Sequence, residues 1–359
     1  MNAVVDRVRG ELTRRGWDGV LATPGANLAW LTGVSNHATQ LRSERLVCLG
    51  VPAEGDPWIL CPAFEGERMA GTIPWASVET WEEAEDPFAR AGRRLGRGET
   101  WALEPSTAYH DANRLAAGAE AELVDGAALF ETLRRAKTPA EIEALRRAIA
   151  VAWEVHDEIV PSLAKGDTEA GVEERIADAF GRRGYQAWSL VQFGSGSAVP
   201  HGEPGERRLE PGQAVLLDWG GWGDGFTADL TRTFWWDGVA LPADDSPEEF
   251  RVIQDVVRSA QTAALSMMRP GVLCGDAVEA ARSVIREAGY GEYFTHRLGH
   301  GLGREIHEPP YLVAGSGVEL TPGDVVTVEP GIYLPGKFGV RWEDDVRVTD
   351  DGIEILSER

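Results

Sequence analysis

Residues 209–220 read LEPGQAVLLDWG, and residues 320–331 read LTPGDVVTVEPG. Each stretch opens with a Pro-Gly turn, which launches a short apolar run of strand type. Each run ends in an acid seven residues after its proline: Asp218 in the first and Glu329 in the second. A carboxylate closing an apolar strand is costly to bury unless it is paired. The same costly pattern occurs twice, so the question is whether the chain around it also repeats.

It does. TPAEIEALRRA from Thr138 is answered by SPEEFRVIQDV from Ser246, with cap, proline and glutamate in register. RRGYQAW, with Tyr185, is answered by EAGYGEY, with Tyr290. The offsets from Thr138 to Ser246, Tyr185 to Tyr290 and Pro211 to Pro322 are 108, 105 and 111 residues. Two copies of one helix–helix–strand unit with small insertions give this drift, and such copies pack about a pseudo-twofold axis. Each copy adds a second acid after a glycine-containing turn: Asp229 and Glu343. A pseudo-twofold brings the four carboxylates together, where they must take up protons or hold cations.

Histidines add to this set. Four of the seven, His201, His296, His300 and His307, lie in the same part of the chain as the acids. His300 stands between glycines in LGHGLG, a backbone that lets an imidazole approach a ligand closely. Oxygen-rich ligation with one imidazole suits Mn²⁺ or Co²⁺, and sometimes Zn²⁺. Four carboxylates balance two divalent cations. A pair of such ions about 3.5 Å apart shares a water, lowers its pKa and aims it at a carbonyl. The residues alone thus argue for a dinuclear metallohydrolase.

Composition narrows the remaining classes. The chain has 359 residues and a net charge of −23, so nucleic acid is not an expected partner. No run of 18 apolar residues is present, and no membrane span is expected. The opening MNAVVDRVRGELTRRGWDG lacks the apolar core of a signal peptide, so a cytoplasmic location is expected. Cys48, Cys61 and Cys274 form no CxxC and read as reduced, buried thiols.

Ahead of the repeat the chain alternates strand and helix signals. RLVCLGV and PWILCP flank the turn PAEGD as a hairpin. TWALE and AELVD read as further strands, with helices around GERMAGT and DANRLAAGA. The boundary is placed just before the capping box Thr138-Pro139-x-Glu141, giving a smaller α/β domain over 1–134 and a second domain over 135–359.

LLDWGGWGDGFTADLTRTF, HRLGHGLGREIHEPP, TVEPGIYLPG and GVRWEDDVRVTDDG, together with PHG at 200–202, resemble the methionine aminopeptidase/prolidase superfamily. NLAWLTGVS resembles the creatinase-type N-terminal domain. Methionine aminopeptidases lack that domain, so the resemblance points to the Xaa-Pro peptidases, prolidase and aminopeptidase P. It implies an α+β pita-bread catalytic domain after a creatinase-type α/β domain. It also implies two divalent metal ions held by Asp218, Asp229, His300, Glu329 and Glu343, with Asp229 and Glu343 bridging.

By the same resemblance, Glu329 acts as general base toward a metal-bridging hydroxide, and His307 stabilises the oxyanion. His296 and His201 line the site, His201 meeting substrate. Arg341 supports a ligand or meets substrate. Mn²⁺ is the expected metal, and a homodimer is expected. The substrates implied are small peptides with proline in second position, cleaved before that proline.

One position departs from the pattern. Many prolidases carry an arginine four residues after the second histidine, where it clamps the dipeptide carboxylate. Here Tyr311 occupies that place. Aminopeptidase P action on longer peptides is therefore the alternative activity. Otherwise another cation supplies the clamp: Arg42 or Arg45 of QLRSERL, in cis or in trans. A third reading, a non-catalytic binding protein on the same fold, is opposed by the presence of all five ligands and His307.

Overall fold

The computed structural model describes residues 3–34 and 45–359. The chain divides into two compact units, Met1–Arg134 and Arg135–Arg359.

The first unit is a six-stranded mixed sheet. Its strands are β1 (Gly19–Ala22), β2 (Cys48–Pro52), β3 (Trp58–Pro62), β4 (Ser77–Trp81), β5 (Thr100–Leu103) and β6 (Glu122–Asp125), in the order β4-β3-β2-β1-β5-β6. The hairpin read at PAEGD is present: β2 and β3 are antiparallel, with Cys48 opposite Leu60. The pairs β1–β5, β3–β4 and β5–β6 are parallel. Parallel pairs need crossovers, and helices α1 (Ala3–Arg15), α2 (Ala26–Thr32), α3 (Gly66–Thr72), α4 (Pro87–Gly92), α5 (Tyr109–Gly118) and α6 (Ala127–Arg135) flank the strands. Both faces are covered. Val20 and Ala22 of β1 enter one apolar cluster, while Leu21 between them enters the other. Cys48, Cys61 and Cys274 are free and buried. Burial pushes the Cys48 thiol up to about 12, so it is an inert core residue.

The second unit shows the repeat as two cores. In the first half, α7 (Pro139–Ile159) and α8 (Glu169–Arg182) pack on β7 (Gln186–Phe193), β8 (Gln213–Gly223) and β10 (Leu230–Trp236). These strands run in the order β10-β8-β7, and the short β9 (Phe226–Thr227) pairs with β8. In the second half, α9 (Glu248–Met267) and α10 (Cys274–Glu287) pack on β11 (Gly299–Gly301), β12 (Glu308–Leu312), β13 (Val325–Val328), the hairpin β14 (Gly331–Leu334) with β15 (Phe338–Arg341), and β16 (Asp344–Val348). The second sheet runs β12-β11-β13-β16-β17, with β17 at Ile353–Ile355. Strand β13 stands between the cores: Val325 joins the first, Val326 and Val328 the second.

The two Pro-Gly turns match in conformation. Gly212 and Gly323 have φ of 81° and 90°, a region that disfavours side chains, so each turn needs its glycine. The helix starts match only in part. Thr138 forms the full capping box, its Oγ1 accepting from Glu141 N while Thr138 N donates to the Glu141 carboxylate. Ser246 does not cap α9. Its hydroxyl donates to Pro242 O at 3.2 Å, and Pro247 takes the cap position without a side-chain bond. The preceding turn competes for the hydroxyl and wins.

In the first core, His156 of α7 stacks on Trp219 at 5.1 Å and meets Trp153 edge-on at 5.3 Å. Burial holds its pKa below the ordinary histidine value, against the hydrogen bond that its Nδ1 donates to Asp157. Folding therefore favours neutral His156. The stabilisation is present above the unfolded pKa of ~6.5 and is lost as pH falls from there toward the folded value. His156→Gln is expected to flatten the fall of the denaturation midpoint between pH 7 and pH 5, measured side by side with wild type. An unaltered slope would show that other groups set it.

Candidate functional site

The acids predicted from the repeat converge in the second unit. Asp218 lies on β8, and Asp229 sits just ahead of β10. Glu329 directly follows β13, and Glu343 directly precedes β16. Thr231 joins the two halves. It faces Asp218 in the β10–β8 register and forms a lone antiparallel bridge to Glu343. Its hydroxyl donates to Glu343 Oε2 at 2.6 Å, and Glu343 N donates to Thr231 O at 3.1 Å.

His300 on β11 completes the group. A side chain at Gly299 would press into Thr327 O, so glycine is what lets β11 approach β13 here. Thr327 Oγ1 accepts from His300 N at 3.2 Å and lies 3.4 Å from Glu329 Oε1. His300 Nδ1 lies 3.1 Å from Gly301 O, as an N–H donating to a carbonyl does. That leaves the Nε2 lone pair facing Glu329 Oε1 at 3.4 Å and Asp229 Oδ2 at 3.5 Å. One ligand atom each of Asp229, His300 and Glu343 lies within 4.8 Å of the others.

Charge is the difficulty of this arrangement. Burial pushes Asp229 and Glu343 well above the carboxylate range, and their acidic neighbours push further. Burial pushes Glu329 up to about 8. Asp218 Oδ1 is buried with no hydrogen-bond partner. Cations held there would offset the repulsion and satisfy the orphaned oxygen. Carboxylates plus one free imidazole nitrogen fit hard or borderline divalent ions. The residues present fit the group that this chemistry calls for.

Arg341 is built into this frame. It donates through Nε to Thr231 Oγ1 at 3.0 Å, through Nη1 to Tyr333 OH at 2.8 Å and Pro200 O at 3.3 Å, and through Nη2 to Asp218 Oδ2. Tyr333 continues the chain to His296 Nε2 at 2.8 Å. His296 Nδ1 lies 2.7 Å from Arg297 O and donates to it, so Nε2 accepts from the tyrosine. His307 meets His300 edge-on at 4.2 Å. His296 and His307 are held below the ordinary imidazole range, first by burial, and so stay neutral.

These groups open on a cavity of about 370 Å³. His201, His296, His300, His307, Arg341 and the four acids all line it, so nearly every residue predicted for the site is brought together. Trp188, Leu190 and Ile306 give it an apolar wall. Tyr311 is on β12, partly exposed and opposite His300 in the β11–β12 register. Arg45 belongs to the first unit, where Nε pairs with Glu83 at 2.8 Å and the guanidinium lies over Phe64. Arg42 lies outside the described residues. Sequence reading missed Thr231, Thr327, Tyr333 and Arg297, the last of which also lines the cavity.

Comparison with known proteins identifies the family and the fold. The model of metallopeptidase family M24 matches residues 143–350, and that of the creatinase/prolidase N-terminal domain matches residues 5–136. The probable dipeptidase PepE of Mycobacterium tuberculosis is 36% identical over 345 residues, 94% of this chain and 89% of that protein. The crystal structure of dipeptidase PepE from Mycobacterium ulcerans is similar with a TM-score of 0.90 at 32% identity, covering 99% of this chain and 95% of that one. For the Xaa-Pro dipeptidase from Bacillus anthracis the TM-score is 0.88 at 27% identity, covering 99% and 97%.

Proposed function

The chain belongs to metallopeptidase family M24, a hydrolase with a creatinase-type N-terminal domain and a pita-bread catalytic domain, and on that footing we propose that it is a dinuclear-metal Xaa-Pro dipeptidase of the prolidase type. The observation that carries the reading is the convergence of Asp218, Asp229, Glu329 and Glu343 with the free Nε2 of His300 on one buried wall. These five residues would hold two divalent ions, Mn²⁺ first among the candidates. Bound there, the ions supply Lewis acidity to the scissile carbonyl and to the attacking water.

The chain's own residues then divide the remaining work. Glu329 takes the proton of the water. Neutral His307 donates to the carbonyl oxygen as negative charge develops on it. His201 and His296 bound the space that the substrate fills. Trp188, Leu190 and Ile306 offer an apolar face to a proline ring, which has no N–H to satisfy. Small peptides with proline second are the proposed substrates; a cytoplasmic location and a homodimer belong to the same proposal. No helix among the described residues is long and apolar enough to cross a membrane.

The test is hydrolysis by the metal-stripped protein before and after Mn²⁺ is added, with Leu-Pro, Leu-Pro-Gly and Gly-Leu. Metal-dependent cleavage of Leu-Pro alone is expected. Cleavage of Leu-Pro-Gly in preference would turn the assignment to aminopeptidase P. No metal-dependent cleavage of any of them would remove the Xaa-Pro reading.

A further inference from the structure

A dipeptide differs from a longer peptide in carrying a carboxylate one residue beyond the scissile bond. That charge must enter a cavity already walled by four acids. Even with cations offsetting those acids, a free carboxylate needs a donor of its own. Among the described residues two arginines line the cavity, Arg341 and Arg297. Arg341 is largely committed: four of its five N–H groups donate to Asp218, Thr231, Tyr333 and Pro200.

Arg297 differs. Its backbone carbonyl accepts from His296, but its guanidinium has no hydrogen bond or ion pair among the described residues. The side chain is half-buried and faces the cavity, with its Cζ 5.0 Å from the centre of the Tyr311 ring. An arginine over a tyrosine face is held by cation–π attraction, and its edge N–H groups stay available.

We propose that Arg297, braced on Tyr311, is the specificity-determining residue that binds the free carboxylate of the dipeptide. Tyr311 is then the platform that aims the arginine, and its place on β12 opposite His300 puts that platform beside the catalytic wall. The inference rests on the Xaa-Pro dipeptidase reading and adds to it the residue that makes a dipeptide the preferred substrate.

The test compares Leu-Pro with Leu-Pro-amide, which has the same scissile bond and no carboxylate charge. Wild type, Arg297→Met, Arg297→Lys and Tyr311→Leu are assayed as Mn²⁺-loaded enzymes, each with a thermal denaturation scan. The ratio of kcat/KM for acid over amide is expected to fall roughly ten- to hundredfold in Arg297→Met, carried mainly by KM, as loss of a charge-assisted bond requires. Arg297→Lys keeps the charge but not the fork and is expected to be intermediate. Tyr311→Leu is expected to fall part of the way. L-proline should inhibit wild type more strongly than L-prolinamide, and Arg297→Met should level the two.

An acid-to-amide ratio that stays at the wild-type value in both Arg297 variants, with folding intact, would overturn the inference. So would a ratio that moves with Arg42→Ala or Arg45→Ala instead. If wild type cleaves neither substrate, it is the dipeptidase reading that fails, and the two failures are thereby distinguished.

Discussion

Glu329→Gln is expected to lower kcat for Leu-Pro by roughly a thousandfold, within the range for loss of a positioned general base. The side chains of Asp229 and His300 are 4% and 3% exposed, whereas Glu329 is 13% exposed. A proton acceptor for water must be reachable from the cavity, and Glu329 is the most open of the four acids; Asp218 comes next at 10%, but Arg341 holds one of its oxygens. Glutamine keeps the shape and one acceptor oxygen but cannot take the proton. Because Glu329 also belongs to the proposed ligand set, metal content must be measured on the same preparation. A variant that keeps its metal and loses kcat assigns the base. One that keeps both metal and kcat refutes the assignment. One that loses metal calls for measurement at saturating Mn²⁺, where the loss of kcat is expected to persist.

Much of this site was legible because its signals are local. An apolar run ending in an acid, a glycine on each side of His300, and Pro-Gly turns in register are visible within a dozen residues, and the repeat turned them into a constellation. The supporting residues were not legible, for a physical reason. Thr231 in LTRT reads as an ordinary β-branched strand residue; its importance arises from a bridge to Glu343, more than a hundred positions away. Tyr333 reads as an aromatic of a short strand, and only packing shows its hydroxyl between Arg341 and His296. Arg297 stood in a quoted motif beside His296, yet nothing local separates a cavity arginine from a solvated one. The failed cap at Ser246 has the same origin, since the sequence fits a capping box and a neighbouring turn claims the hydroxyl. The strand order of the first unit was likewise unreadable, because it depends on pairings such as β1 with β5 that cross most of that unit.

Arg341→Met carries the second large effect, and it falls on stability as well as rate. Arg341 is 2% exposed and is the buried counter-cation of Asp218. Removing one partner of a buried ion pair costs about 3–5 kcal/mol, because the remaining charge stays buried and unpaired. For a chain of 359 residues that corresponds to a fall of roughly 4–7 °C in Tm. The fall is expected to be larger in the metal-stripped protein than in the Mn²⁺-loaded one, since bound cations offset the exposed repulsion among the acids and a ligand that binds only the folded state stabilises it. Activity of the loaded variant is expected to drop about ten- to hundredfold, the cost of losing a residue that orients a proposed metal ligand. Arg341→Lys separates charge from geometry: it restores a cation beside Asp218 but cannot reach Thr231, Tyr333 and Pro200 together. It should therefore recover much of the Tm and little of the rate. Equal Tm losses with and without Mn²⁺ would show that Arg341 acts as a packing residue and does not balance the charge of the acid cluster.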